Sequence, residues 1–291
     1  MHTPLFVLAF DHRSSFIRSF LGVEGEAGPE DIERARTAKD VIAEGLAAAV
    51  AEGLVAGESA AALVDATYGA GAIETLRAGA IRVAVPVEES GRRELAFEDG
   101  WRERLRSLDP AWAKVLVRFD PGGNRAMNDR QIERLRELGE LCGDTGRALM
   151  LELLVPPRPE QDAPGYDTEV RPGLVVDAIE QIRGAGVTPS LWKIEGFERR
   201  DHCEALAAVA GAPCVILGRG QDDAAVDRWL RAGAGVEGFD GFAIGRSIWW
   251  DAVRGFFDAG RDADARASAV GAIARNYARF TKVWADASLG R

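Results

Sequence analysis

Eight short runs rich in Val, Ile, Leu and Phe alternate with longer helical patterns along this 291-residue chain, and that alternation constrains the fold more than any single motif. The runs fall at 5–11, 62–68, 81–87, 113–119, 148–155, 191–195, 214–217 and 241–244. Helical patterns occupy 31–52, 70–78, 101–108, 128–141, 173–185, 201–210, 223–232 and 247–259, with a further one at 263–285. Eight strand–helix units in unbroken succession predict an α/β chain: one domain over 1–291, a (β/α)8 TIM barrel with an extra C-terminal helix. The competing open sheet would carry a Gly-x-Gly-x-x-Gly turn after its first strand, where this sequence reads Asp11-His12-Arg13.

Charge narrows the partners. The chain has a formal net charge of −10 and no Lys/Arg block, which argues against nucleic acid or an anionic membrane as partner. No apolar run approaches the roughly 20 residues that span a bilayer, and 1–11 leads into Asp-His-Arg without the features of a signal peptide. Cys142, Cys203 and Cys214 are odd in number and lack Cys-x-x-Cys spacing, so neither a disulfide framework nor a zinc site is indicated. The expectation is a reduced, cytoplasmic protein with a small-molecule partner, and on general grounds a homo-oligomer.

Candidate chemistry begins at 191–195, Leu-Trp-Lys-Ile-Glu, where a lysine stands inside an apolar strand and alternation aims Lys193 and Glu195 to the same side. Desolvation favours the neutral amine, the form that attacks a carbonyl to make a Schiff base. The plainer reading is a lysine whose stem packs while its head meets water or a carboxylate such as Glu195.

Barrel chemistry gathers at the C-terminal ends of strands, and those ends are rich in polar residues. They carry Asp11, Arg13, Asp65, Thr67, Glu88, Glu89, Lys114, Arg118, Asp120, Glu152, Arg219 and Arg246. If Lys114 faces the lumen, parity takes Arg118 and Asp120 with it and turns Val115 and Val117 outward, just as Trp192 and Ile194 turn outward when Lys193 faces in. Barrel-mouth salt bridges are the alternative for Asp65, Arg118 and Asp120. The last two strands end in similar turns, Gly218-Arg219-Gly220 and Gly245-Arg246-Ser247, each leading into a helix. Barrels commonly hold phosphate there, on backbone N–H groups and a helix N-terminus, with arginine gripping two oxygens at once.

His2, His12 and His202 are scattered without zinc-site spacing, so no metal site is expected, a magnesium ion held by carboxylates being the alternative, and the cysteines read as packing residues. The Pro/Gly-rich stretch 156–173 is long for a barrel loop and reads either as a lid or as a surface insert.

Seven segments in order, FVLAFDHR at 6–13, LVDATYG at 63–69, VPVEESG at 85–91, KVLVRFDP at 114–121, LELLVPP at 151–157, WKIE at 192–195 and GFAIGRS at 241–247, span nearly the whole chain. Together they resemble the class I aldolases of the tagatose-bisphosphate and sulfofructose-phosphate type. They are more similar still to the aldolase domain of bacterial inositol breakdown, which cleaves 2-deoxy-5-keto-gluconate 6-phosphate to dihydroxyacetone phosphate and malonate semialdehyde. The resemblance implies a lyase that needs no cofactor, with Lys193 as the Schiff-base lysine, Glu152 as the proton-transfer residue and Lys114 as a supporting lysine that favours the neutral amine of Lys193. Asp11 and Arg13 match the strand-one motif, and Gly245-Arg246 the phosphate turn. Leu217-Gly218-Arg219-Gly220 departs from the inositol-pathway pattern, which leaves the substrate open and gives Arg219 either a phosphate or a carboxylate to hold. A non-covalent phosphosugar isomerase or epimerase using Glu152, and a barrel that only binds a sugar phosphate, are the readings from other classes.

Overall fold

A computed structural model describes residues 3–161 and 163–290. Eight parallel strands close in sequence order into a barrel: β1 (Leu5–Ala9), β2 (Ala60–Leu63), β3 (Arg82–Pro86), β4 (Trp112–Arg118), β5 (Ala148–Leu154), β6 (Leu191–Glu195), β7 (Cys214–Leu217) and β8 (Phe239–Ile244). The helices are α1 (Pro29–Ala51), α2 (Ala70–Ala78), α3 (Trp101–Leu108), α4 (Arg125–Thr145), α5 (Arg171–Gly184), α6 (Arg200–Ala210), α7 (Asp223–Gly233), α8 (Arg246–Asp258) and α9 (Ala263–Ser288). This is the (β/α)8 barrel with an additional C-terminal helix that the alternation predicts. None of the described helices is long and apolar enough to cross a membrane. His2 lies outside the described residues.

Alternation along each strand divides the interior. Leu5, Val7, Ala9, Ala61, Leu63, Ala84, Trp112, Met150, Leu191, Val215 and Ala243 pack together inside the barrel as an apolar floor. Their neighbours in sequence, among them Phe6, Leu8, Ala62, Val115, Val117, Trp192 and Ile194, join the larger core between strands and helices. Continuing the inward parity past the floor reaches Asp11, Glu88, Lys114, Glu152 and Lys193, so the same periodicity that builds the core delivers charge to its upper end.

Closure between β8 and β1 depends on a glycine. Gly241 has φ 142°, and a Cβ there would lie 2.0 Å from the Leu5 carbonyl oxygen, so only glycine lets the two strands approach. The additional helix covers this seam: α9 packs on α1, α7 and α8, and Tyr277 donates to the Phe6 carbonyl at 2.5 Å.

The first two strands depart most from the sequence reading, and for physical reasons. The first strand, expected to run to Asp11, ends at Ala9 because the fully buried Lys39 of α1 draws the carbonyls of Phe10 (2.7 Å) and His12 (3.0 Å) toward its ammonium and bends the chain. The second begins at Ala60 rather than 62 and stops at Leu63. Its three alanines carry little strand propensity of their own and are placed by the crowded barrel wall, while Asp65 caps the turn that follows by accepting from the Tyr68 N–H at 2.9 Å.

Candidate active site

The centre of the site is a carboxylate held between two lysines. Glu152 of β5 stands level with Lys193 of β6 in the sheet register, and its Oε1 lies 2.8 Å from Lys193 Nζ. Its Oε2 lies 2.9 Å from Nζ of Lys114 on β4. Lys114, 2 % exposed, also meets Asp11 Oδ2 at 2.9 Å and Glu88 Oε1 at 2.8 Å. Glu195 is therefore not the partner of Lys193. Residues i and i+2 of one strand stand about 6.6 Å apart, whereas level residues on neighbouring strands are about 4.8 Å apart, so the carboxylate across the ladder wins.

Electrostatics assigns these groups different states. Burial works against the charge on Lys114, but Asp11, Glu152 and Glu88 outweigh it and raise its pKa well above the ordinary lysine value. Burial likewise disfavours the carboxylates of Glu152 and Asp11, yet Lys114 and Lys193 hold both below the usual range. Glu88 goes the other way: burial raises it despite Lys114 and Arg13, and its Oε2 is buried without a hydrogen-bond partner. Lys114 fills the place between three acids where a cation would otherwise sit. Its ammonium is thus paired with all three at once. Among the described residues no group of three or more His, Cys, Asp or Glu side chains is arranged to hold a metal ion.

Above this cluster opens a cavity of about 540 Å³ at the C-terminal ends of the strands. Among its lining residues are the ten that the sequence offers for catalysis or phosphate binding: Asp11, Arg13, Lys114, Arg118, Glu152, Lys193, Gly218, Arg219, Gly245 and Arg246. Nine Lys and Arg side chains face six carboxylates among its lining residues, so the mouth has an excess of three positive charges on a chain whose formal net charge is −10. Such a reversal draws anions to one place.

The arginines divide by partner. Arg13 pairs with Glu98 and donates to the Glu88 carbonyl at 2.7 Å, bracing the strand-three loop. Arg219 pairs with Glu195 at 2.9 Å and with Asp167 at 2.6 Å. Its backbone is left-handed, φ 49°, a conformation that costs a non-glycine residue of order 1–3 kcal/mol. Arg246 and Arg118 bond only backbone carbonyls, those of Arg219 at 3.2 Å and Arg92 at 2.9 Å, and have no carboxylate partner among the described residues.

The two similar turns after β7 and β8 are not equivalent. Asp222 caps α7 by accepting from the Ala225 N–H at 2.8 Å, so that helix end already holds a carboxylate. Helix α8 begins on Gly245 with no side-chain cap, and Arg246 is its first residue. A Cβ on Gly245 would lie 2.2 Å from the Ala9 carbonyl oxygen, so glycine is required there too.

Three of the polar strand ends, Asp65, Thr67 and Asp120, take no part. Asp65 is buried against Lys39, and Asp120 accepts from Arg158 at 2.9 Å; neither lines the cavity. Parity fails for Asp120 because β4 ends at Arg118 and the chain has already turned. The loop 156–173 is tied down at its far end, where Tyr166 donates to the Val155 carbonyl at 2.8 Å and Asp167 joins Arg171 (2.9 Å) to Arg219. Burial pushes the thiols of Cys142 and Cys203 up to about 11 and about 12, and Cys214 higher still, which suits packing rather than attack. Sequence reasoning missed Lys39 and gave His12 no role. The signal for Lys39 was its place among Ala35, Ala38 and Ile42 on the apolar face of α1.

These features define a (β/α)8 barrel with a polar, charge-paired cavity at the carboxyl ends of its strands. The chain belongs to the family described as an uncharacterized protein conserved in bacteria, DUF2090, which matches residues 1–288. Among solved structures it is similar to a fructose-bisphosphate aldolase from Plasmodium falciparum, crystallised with TRAP and a small-molecule inhibitor, at 15% identity and a TM-score of 0.66 over 97% of this chain and 91% of that one. It is also similar to Cgl0159 from Corynebacterium glutamicum, at 17% identity and a TM-score of 0.59 over 94% of this chain and 85% of that one. At such identities the likeness is one of fold. No curated protein matches the sequence.

Proposed function

We propose that this protein is a class I aldolase that cleaves a phosphorylated keto sugar or keto sugar acid through a Schiff base on Lys193. The observation that carries the reading is Glu152 placed between Lys193 and Lys114 at the base of an anion-attracting cavity. The fructose-bisphosphate aldolase with the same fold supports it.

In the proposed reaction the Lys193 ammonium passes a proton to the contacting Glu152, and the neutral amine attacks the ketone carbon. Loss of water gives an iminium. Glu152, again a carboxylate, takes the proton of the hydroxyl on the carbon beyond the scissile bond, that bond breaks, and its electron pair flows to the iminium nitrogen. The aldehyde leaves, the enamine is protonated on carbon, and water releases the ketone and the amine. Lys114 stays charged throughout and aims Glu152, while Arg246 and the open end of α8 hold the phosphate. The substrate that agrees best with the sequence resemblance is 2-deoxy-5-keto-gluconate 6-phosphate, giving dihydroxyacetone phosphate and malonate semialdehyde. Tagatose-bisphosphate and sulfofructose-phosphate chemistry would use the same groups.

Borohydride reduction in the presence of dihydroxyacetone phosphate, followed by intact mass and peptide mapping, tests the proposal. A stable adduct on Lys193 is expected. Bound phosphate without an adduct would redirect the assignment to an isomerase or a binding protein.

A further inference from the structure

Between the proposed nucleophile and the α8 turn stands an imidazole with no assigned role. His12 lines the cavity, and its backbone is fixed by Lys39, which donates to its carbonyl at 3.0 Å. Its ring meets Trp249 of α8 edge-on, centroids 6.2 Å apart, and Trp249 is itself anchored by an Nε1–H donated to the Ala9 carbonyl at 3.1 Å. The charged groups that act on the ring come from several elements: Asp11 beside it, Lys39 from α1, Lys193 from β6 and Arg246 from α8.

The two ring nitrogens differ. Nδ1 is buried and has no hydrogen-bond partner, which leaves Nε2 as the ring nitrogen available to the cavity that His12 lines. A proton on Nδ1 would be an unsatisfied buried donor, a rarer arrangement in proteins than an unsatisfied acceptor, which assigns the proton to Nε2. Burial, reinforced by Lys39, Lys193 and Arg246 and opposed by Asp11, lowers the pKa of His12 to about 4, so the ring is neutral near pH 7.

We infer that His12 is a further catalytic residue, a neutral Nε2–H donor that holds the oxygen of the ketone attacked by Lys193. This rests on the aldolase reading. As the amine adds, the carbonyl π electrons move to that oxygen, and a donor already aimed there stabilises the charge without giving up its proton. The oxygen then takes the proton shed by the amine and a second from Glu152, and leaves as water.

Three measurements test the inference. In 15N-histidine NMR of the full chain, with His12 assigned by loss of its signals in H12Q, the Nε2–H tautomer should persist from pH 5 to 8. Its Nε2 signal should shift on addition of dihydroxyacetone phosphate and not of inorganic phosphate alone. In borohydride trapping, H12L should form the Lys193 adduct roughly 100-fold more slowly, the cost of one oxyanion donor. H12Q, whose amide N–H stands near the Nε2 position, should stay within about tenfold of wild type, and both variants should keep the wild-type KM for the phosphate group. An Nδ1–H tautomer, an imidazolium at pH 7, or equal rates for H12L and H12Q would overturn the inference. A wild-type protein that traps no adduct would instead overturn the aldolase reading, while the tautomer and the response of Nε2 still decide whether His12 is a donor in the cavity.

Discussion

Glu152 Oε1 and Lys193 Nζ lie 2.8 Å apart at one level of adjacent strands, so a proton can cross between them without movement of the backbone. Lys193→Met should lower turnover roughly 10⁴-fold or more and leave the far-ultraviolet circular dichroism spectrum unchanged. Glu152→Gln should reduce kcat with little change in KM, because the amide keeps the shape and loses the base. Steady-state kinetics on purified variants checks both, and wild-type activity in K193M would refute the Schiff base.

The two lysines should differ in what they do for stability. Lys114→Met strips the compensating charge from Asp11, Glu88 and Glu152, a loss expected to cost about 3–5 kcal/mol. Lys193→Met removes one of two partners of Glu152 and should cost clearly less. Urea unfolding of the two variants at pH 7 gives the comparison; equal losses would show that Lys114 is not the electrostatic anchor.

Arg246→Ala should raise KM for a phosphorylated substrate about tenfold to a hundredfold, the worth of one charge-assisted contact, with a smaller effect on kcat. Initial-rate measurements over a range of substrate concentrations decide the matter. An unchanged KM would move the phosphate site away from α8.

His12 gives stability a pH dependence of definite sign. Its pKa is 6.5 when free and about 4 in the fold, so below 6.5 the unfolded chain binds a proton that the folded one refuses. The contribution is complete above pH 6.5 and is lost as pH falls toward 4, by up to about 3 kcal/mol. Subtracting the unfolding free energies of H12Q from those of wild type at pH 7 and pH 4.5 isolates it. A difference that does not change with pH would mean that His12 titrates normally in the fold.

Much of this architecture is legible in the sequence because two periods are strong. Strands at 191–195 and 214–217 and helices at 70–78 and 101–108 lie where the apolar pattern puts them, and inward parity carries Lys114, Glu152 and Lys193 to one cavity. What the pattern does not contain is pairing across the ladder. Which carboxylate meets Lys193 depends on the register of β5 against β6, and the stagger of a closed barrel is a property of all eight strands together. Lys39 escaped notice for a related reason: a lysine in a helix reads as surface until the partner that compensates its burial, here Asp65 from the end of β2, is known. Asp120 marks the opposite limit, since parity holds only while the strand lasts.

The unequal ends of α7 and α8 reach into stereochemistry. With Asp222 closing one berth and Gly245 leaving the other open, an asymmetric ligand anchored by a single phosphate has one direction in which to lie across the barrel. In the proposed aldolase reaction a ketone so held would show Lys193 only one of its two faces, and the carbon nucleophile formed from it would meet an incoming aldehyde from that side alone. The handedness of the sugar made or broken would then trace back to which of two adjacent helices carries its own acid.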